Sequence, residues 1–234
     1  LGLGLARIRV GDLGAGVEQI EISATLNPDN ALIRSYLGKG YYEQRRLDLA
    51  AVEYANAKAL DPRDPTAFFY DSILKLVTNR PVAALADNQR AIELNDNRAV
   101  FRSRLALDQD AAARGAAQGR IFQDLGFEQL GLVEGWKAVS DDPANFSAHR
   151  LLADTYAALP RHEIAQVSEL LQSQLLQPLN VAPIQPQLAA GSLAILPSLG
   201  PTRPGFNEYT PLFTRNGVNA QLNVLFGTDT TFSN

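Results

Sequence analysis

The 234 residues include no cysteine, which excludes disulfides, thiolate chemistry and cysteine-based zinc sites. A net charge of -4 and a pI near 5.2 disfavour nucleic acid and anionic membrane surfaces as partners, and there is no polybasic run. With 46% hydrophobic residues the chain can bury a sizeable core, yet no apolar run is long enough for a membrane-spanning helix.

Taken in order, the chain is punctuated at one interval. Residues 1–30 carry Leu3-Gly4 and Gly16, and 34 residues later stand Leu37-Gly38 and Ala50. Pro28 and Pro62 are separated by the same 34. Residues 31–64 form the clearest unit, with Tyr41, Tyr54 and Ala57 added to Leu37-Gly38 and Ala50. A period near 34 with small residues at fixed offsets predicts stacked helix-turn-helix units. Two antiparallel helices approach closely only where small side chains sit at their crossing, which places Gly38 against Ala50. Ala57 then meets the next unit, Tyr41 and Tyr54 fill the space between helices, and Pro62 ends the second helix.

Residues 65–98 keep the register, with Ala84 and Ala91 34 beyond Ala50 and Ala57, although Asp71-Ser72 replaces Leu-Gly. Register breaks at 99–111, which reads as a strand-like or irregular insertion acting as a packed connector. It resumes in 112–145 with Gly119, Phe122, Gly131 and Ala138, and Trp136 falls on the second helix. Residues 146–179 carry Leu152-Ala153, Tyr156 and Ala165, followed by a helical apolar stripe at Ile164, Val167, Leu170, Leu171 and Leu175.

These landmarks resemble the tetratricopeptide repeat, with Arg34 where the family pattern has Trp. The resemblance covers 1–179 and implies an all-α superhelical solenoid of antiparallel helix pairs. The chain opens at Leu1 inside a repeat, so further repeats are expected upstream. The resemblance also implies a concave groove lined by the first helix of each unit. Carried over position by position, the groove residues are Ser35, Lys39, Tyr42 and Glu43, then Phe69, Ile73 and Leu76, then Arg120 and Asp124, then Arg150 and Asp154. Mixed charges and aromatics suit other proteins or extended peptides as partners. The Lys and Asn pattern with which some family members hold a carboxyl terminus is missing.

Composition changes after Gln177. Seven of thirteen prolines lie between Pro178 and Pro211, and only Arg203, Glu208, Arg215 and Asp229 are charged after 179. Residues 180–214 read as a Pro-rich extended linker. Residues 215–234 contain an amphipathic β-strand, with Val218, Ala220, Leu222, Val224 and Phe226 on its apolar face. The order of repeats, Pro-rich connector and amphipathic strand resembles bacterial outer-membrane proteins with a periplasmic repeat region ahead of a β-barrel. That resemblance implies a periplasmic or outer-membrane-associated location in a Gram-negative bacterium. An edge strand lent to a neighbouring subunit fits the same pattern.

No residues point to catalysis. His149 and His162 lack the company of metal ligands, Asp108-Gln109-Asp110 lacks the rest of a calcium loop, and Gly11, Gly14 and Gly16 follow no strand. Asn145-Phe146-Ser147 matches a glycosylation sequon. The sequence therefore leads to a non-catalytic interaction scaffold without cofactor or metal, part of an outer-membrane assembly or export system. The alternative is a self-assembling structural subunit whose extension pairs with a neighbour.

Overall fold

The structure is a computed structural model that describes residues 1–100 and 102–176. Ten α-helices follow one another in this part: α1 Gly2–Arg9, α2 Leu13–Leu26, α3 Ala31–Glu43, α4 Leu47–Leu60, α5 Pro65–Val77, α6 Pro81–Glu93, α7 Arg104–Asp124, α8 Glu128–Asp141, α9 Phe146–Ala158 and α10 Glu163–Leu176. A 3₁₀ turn, Asn95–Arg98, stands between α6 and α7. The described residues contain no strand. The helices pack as antiparallel pairs, α1 with α2 through to α9 with α10, and each second helix meets the first helix of the next pair.

Local chemistry sets the ends of these helices. The side chains of Asp12, Asn30, Asp64, Ser103 and Asn145 each accept a hydrogen bond from a backbone N–H of the first helical turn. That satisfies donors with no intrahelical partner. Asn145 is a buried cap, so the matching sequon is a structural feature of α9. The turn within each pair passes through a left-handed residue: Gly11, Arg45, Asn79, Gly126 and Arg161. Around the first four, one N–H reaches back five residues and the preceding one three, as Arg46 to Tyr41 and Arg45 to Tyr42 do. This Schellman arrangement closes the exposed carbonyls of the first helix and reverses the chain in about three residues.

Small residues let the pairs close. Ala50, Ala57, Ala84 and Ala91 are fully buried. A Cβ on Gly119 would lie 3.0 Å from the Gly131 carbonyl oxygen, and the reverse distance is the same. Tyr54 fills the space beside Gly38 and is itself buried. One apolar core runs from Ile8 through Ile20, Tyr36, Tyr54 and Leu74 to Ala117. A smaller one of Ala112, Ala116, Ala138 and Ala148 joins α7, α8 and α9.

The segment 99–111 differs from the expectation of a strand-like or irregular insertion. Residues 104–111 are helical and extend α7 to 21 residues, with Ser103 as its cap. The Arg104–Asp108 and Arg114–Asp110 pairs one turn apart support the helix. The Pro-rich stretch 180–214 and the strand residues Val218, Ala220, Leu222, Val224 and Phe226 lie outside the described residues.

Candidate partner-binding groove

Along the stack α3 touches α5, α5 touches α7 and α7 touches α9. Second helices approach one another much less, so the first-helix side is the inside of the curve. The inner surface is therefore assembled from side chains about 34 residues apart in sequence.

Four of the expected groove residues are buried rather than presented to solvent. Ser35 bonds back to the Ala31 carbonyl, and Phe69 and Ile73 belong to the core. Lys39 is 1% exposed, paired with Glu43 and 4.9 Å from the Tyr42 ring centre. Tyr42, Glu43 and Leu76 are half-buried beside them. At the other end Arg120 bonds Asp154 at 3.2 Å and lies 3.9 Å from Asp124, while Arg150 bonds Asp154 at 3.1 Å. The Asp124 carboxyl is shifted up by partial burial, against the pull of Arg120. Charges lining both ends of the groove are thus largely matched within the protein.

Architecture of this kind matches known structures. The chain has the fold of a tetratricopeptide-repeat solenoid. It is similar to PilF of Pseudomonas aeruginosa, with a TM-score of 0.61 at 15% identity over 75% of this chain and 78% of that one. MamA gives 0.53 at 18% identity, covering 71% and 89%. YrrB, a repeat protein described with an unusual peptide-binding site, gives 0.50 at 16%, covering 69% and 76%. No family model matches the sequence, and no curated protein does. At these identities the likeness establishes the fold.

Two polar clusters escaped the sequence reading. Lys58 on α4, Asp71 and Lys75 on α5 and Asp87 on α6 form a closed ring of ion pairs: Lys58 lies 2.6 Å from Asp71 and 2.8 Å from Asp87, and Lys75 lies 2.9 Å from Asp71 and also bonds Asp87. Burial opposes ionisation of Asp71, but hydrogen bonds and charges from Lys58 and Lys75 outweigh it and hold the carboxyl below its ordinary value. Burial likewise works against charged Lys75, and its two carboxylate partners raise it nonetheless. The departure of Asp71-Ser72 from Leu-Gly was the signal for this ring. The second cluster is Arg102 and Arg114, which share Asp110 at the start of α7, next to the segment where register breaks.

Neither histidine stands in a catalytic setting. His149 is buried between the Glu169 carboxylate at 2.6 Å and the Pro143 carbonyl at 2.9 Å. These two contacts tie α9 to α10 and to the preceding turn. His162 stacks on Tyr156 with ring centres 5.5 Å apart, and Tyr156 accepts a hydrogen bond from the half-exposed Trp136.

Proposed function

We propose that the chain is a non-catalytic interaction scaffold that holds an extended peptide or protein segment along its first-helix face. The observation that carries this reading is the direct succession of α3, α5, α7 and α9, which lines one continuous inner surface with aromatic and internally paired polar side chains. Such a surface can follow several residues of an extended chain without needing one deep cavity. The peptide-binding site described for YrrB supports the same reading by analogy of fold. An array of overlapping dodecapeptides from candidate partners, followed by hydrogen exchange of the complex, tests it. Protection should concentrate on α3, α5, α7 and α9. Protection confined to α4, α6 and α8 would overturn the groove.

The location we propose is the periplasm, in an assembly at the outer membrane. It is supported by the Pro-rich run from Pro178 to Pro211 and the alternation from Val218 to Phe226. Recovery of the protein from the cytosolic fraction of its source cells would overturn it. The same alternation favours the second reading, a subunit that lends its strand to a neighbour; sedimentation as a monomer at all accessible concentrations would reject that alternative.

A further inference from the structure

Three aromatic rings stand in a row on the surface where α8, α9 and the turn into α10 come together. Trp136, the single tryptophan of the chain, is 50% exposed on α8. Its indole Nε1 donates to the Tyr156 hydroxyl on α9 at 2.9 Å. Tyr156 is partly exposed, and its ring lies parallel to that of the exposed His162, with centres 5.5 Å apart and planes within 7°. His162 Nδ1 is in turn 2.9 Å from the Pro160 carbonyl oxygen. Contacts within the protein thus hold the row in place, so an occupant does not have to order it. Among the described residues the Tyr156 hydroxyl, which accepts from Trp136, has no acceptor for its own proton.

Exposed rings with one spare donor are the chemistry that receives a proline-rich segment. Such a segment favours the polyproline II helix, which has three residues per turn and carbonyls without internal partners, so P-x-x-P presents two prolines on one side to aromatic faces. The spacing occurs in this chain at Pro183-Ile184-Gln185-Pro186 and at Pro201-Thr202-Arg203-Pro204, both outside the described residues. Only the first matches the dimensions of α10. Pro183 is seven residues beyond the helix end at Leu176. At about 3.1 Å per residue that stretch reaches roughly 22 Å. The 14 residues of α10, at about 1.5 Å each, span roughly 21 Å. A chain turning back at the end of α10 therefore brings Pro183 level with His162, which immediately precedes the helix. Pro178 favours such a turn, because it cannot extend the helix. The return path is apolar: Ile164, Val167, Leu171 and Leu175 are exposed along α10, while residues 178–186 carry no charge and include Leu179, Val181 and Ile184. The second P-x-x-P carries Arg203 and closes a longer loop, at a greater cost in entropy.

We propose that residues 183–186 of this chain dock on the row formed by Trp136, Tyr156 and His162. Pro183 and Pro186 pack on the aromatic faces, and the Tyr156 hydroxyl donates to a backbone carbonyl of the segment. The proposal does not rest on the groove reading, since Trp136 belongs to a second helix and the occupant is the chain itself. Its consequence is positional. Whatever follows residue 186 then starts from the turn between α9 and α10 rather than from the free end of α10, so the proline-rich connector acts as a strut against the last repeat.

Trp136, as the single tryptophan, reports its own cover. Acrylamide quenching of the full chain is compared with the double variant Pro183→Ala, Pro186→Ala and with the control Pro201→Ala, Pro204→Ala, each checked by thermal melting. The first variant should show a quenching constant about twofold higher, because a docked segment covers one of the two faces of the ring, and the control should match the native chain. A fluorescein-labelled peptide of residues 179–190 should bind the first variant and bind the native chain about tenfold more weakly, since the tethered copy competes at high effective concentration. Tyr156→Leu in the variant background should weaken that peptide about tenfold. Equal quenching in all three proteins overturns the proposal. Protection of Trp136 that rises with protein concentration gives the segment to a second copy and overturns it as well. A decaproline peptide that binds the variant more tightly than the 179–190 peptide assigns the row to a foreign proline-rich partner and rejects the chain's own segment. Undiminished binding to Tyr156→Leu places the segment elsewhere and also overturns the proposal.

Discussion

Gly4 and Gly16 meet backbone to backbone where α1 crosses α2: a Cβ placed on either would lie 2.7 Å from the carbonyl oxygen of the other. Neither carbonyl can rotate away, since each belongs to a helix. The crossing distance of the first pair is thus set by two hydrogen atoms.

Gly16→Ala should therefore destabilise the protein by about 1 to 3 kcal/mol, the usual range for overpacking. Gly14→Ala is the control, because nothing lies within 4 Å of a Cβ there, and it should be neutral or stabilising by up to about 0.5 kcal/mol through the better helix propensity of alanine. Urea denaturation followed by circular dichroism measures both.

The left-handed turn residues make opposite predictions. Gly126 has φ of 84° and open space around its Cα, so Gly126→Ala should cost about 1 kcal/mol through backbone strain alone. Arg45 occupies the equivalent place with φ of 61°, and Arg45→Gly should gain up to about 1 kcal/mol, less the entropy glycine loses on folding. A melting temperature that moves the same way in both variants would contradict this account.

Acid should act on the ring of Lys58, Asp71, Lys75 and Asp87. Asp71 is held below the unfolded value of about 4, so its contribution is complete above that pH and is lost as pH falls through the lower folded value. Lys75 is raised, so its contribution holds below about 10.4 and is lost as pH rises through the higher folded value. Asp71→Asn should cost about 2 kcal/mol at pH 7, between the exposed and fully buried cases, and should flatten the acid limb of stability against pH. Urea midpoints between pH 2 and 7 for both proteins test this; parallel curves would exclude Asp71 from the acid response.

Ser103 caps α7, and its Oγ accepts from the Ala106 N–H. Ser103→Ala should cost about 1 kcal/mol and speed hydrogen exchange across 104–111 selectively. Unchanged exchange there would show that packing alone holds the helical extension.

The period of 34 was legible because a helix pair is built from nearby residues. Small side chains at Gly38, Ala50 and Ala84, Asn30 and Asp64 ahead of helices, and Pro62 after one act within a turn or a neighbouring helix. Any tertiary setting that kept the pair would use them alike. The groove was legible only as a row of positions, since the pattern says which helix a residue occupies and not what pairs with it. Lys39 falls on α3 as expected, and Glu43 and Tyr42 are its neighbours one turn on along the same helix, yet its burial to 1% exposed follows from the helices packed around α3.

The sequence by itself determined the repeat and the stacking of helix pairs, because small residues recurring every 34 positions fix where helices can cross closely. Tertiary structure alone decided that 104–111 would join α7, that Lys58 would meet Asp87 29 residues away, and that Arg114 would face the Phe69 ring. Charged side chains carry no periodic signature, and their partners are fixed only when separate units press together and exclude the water between them.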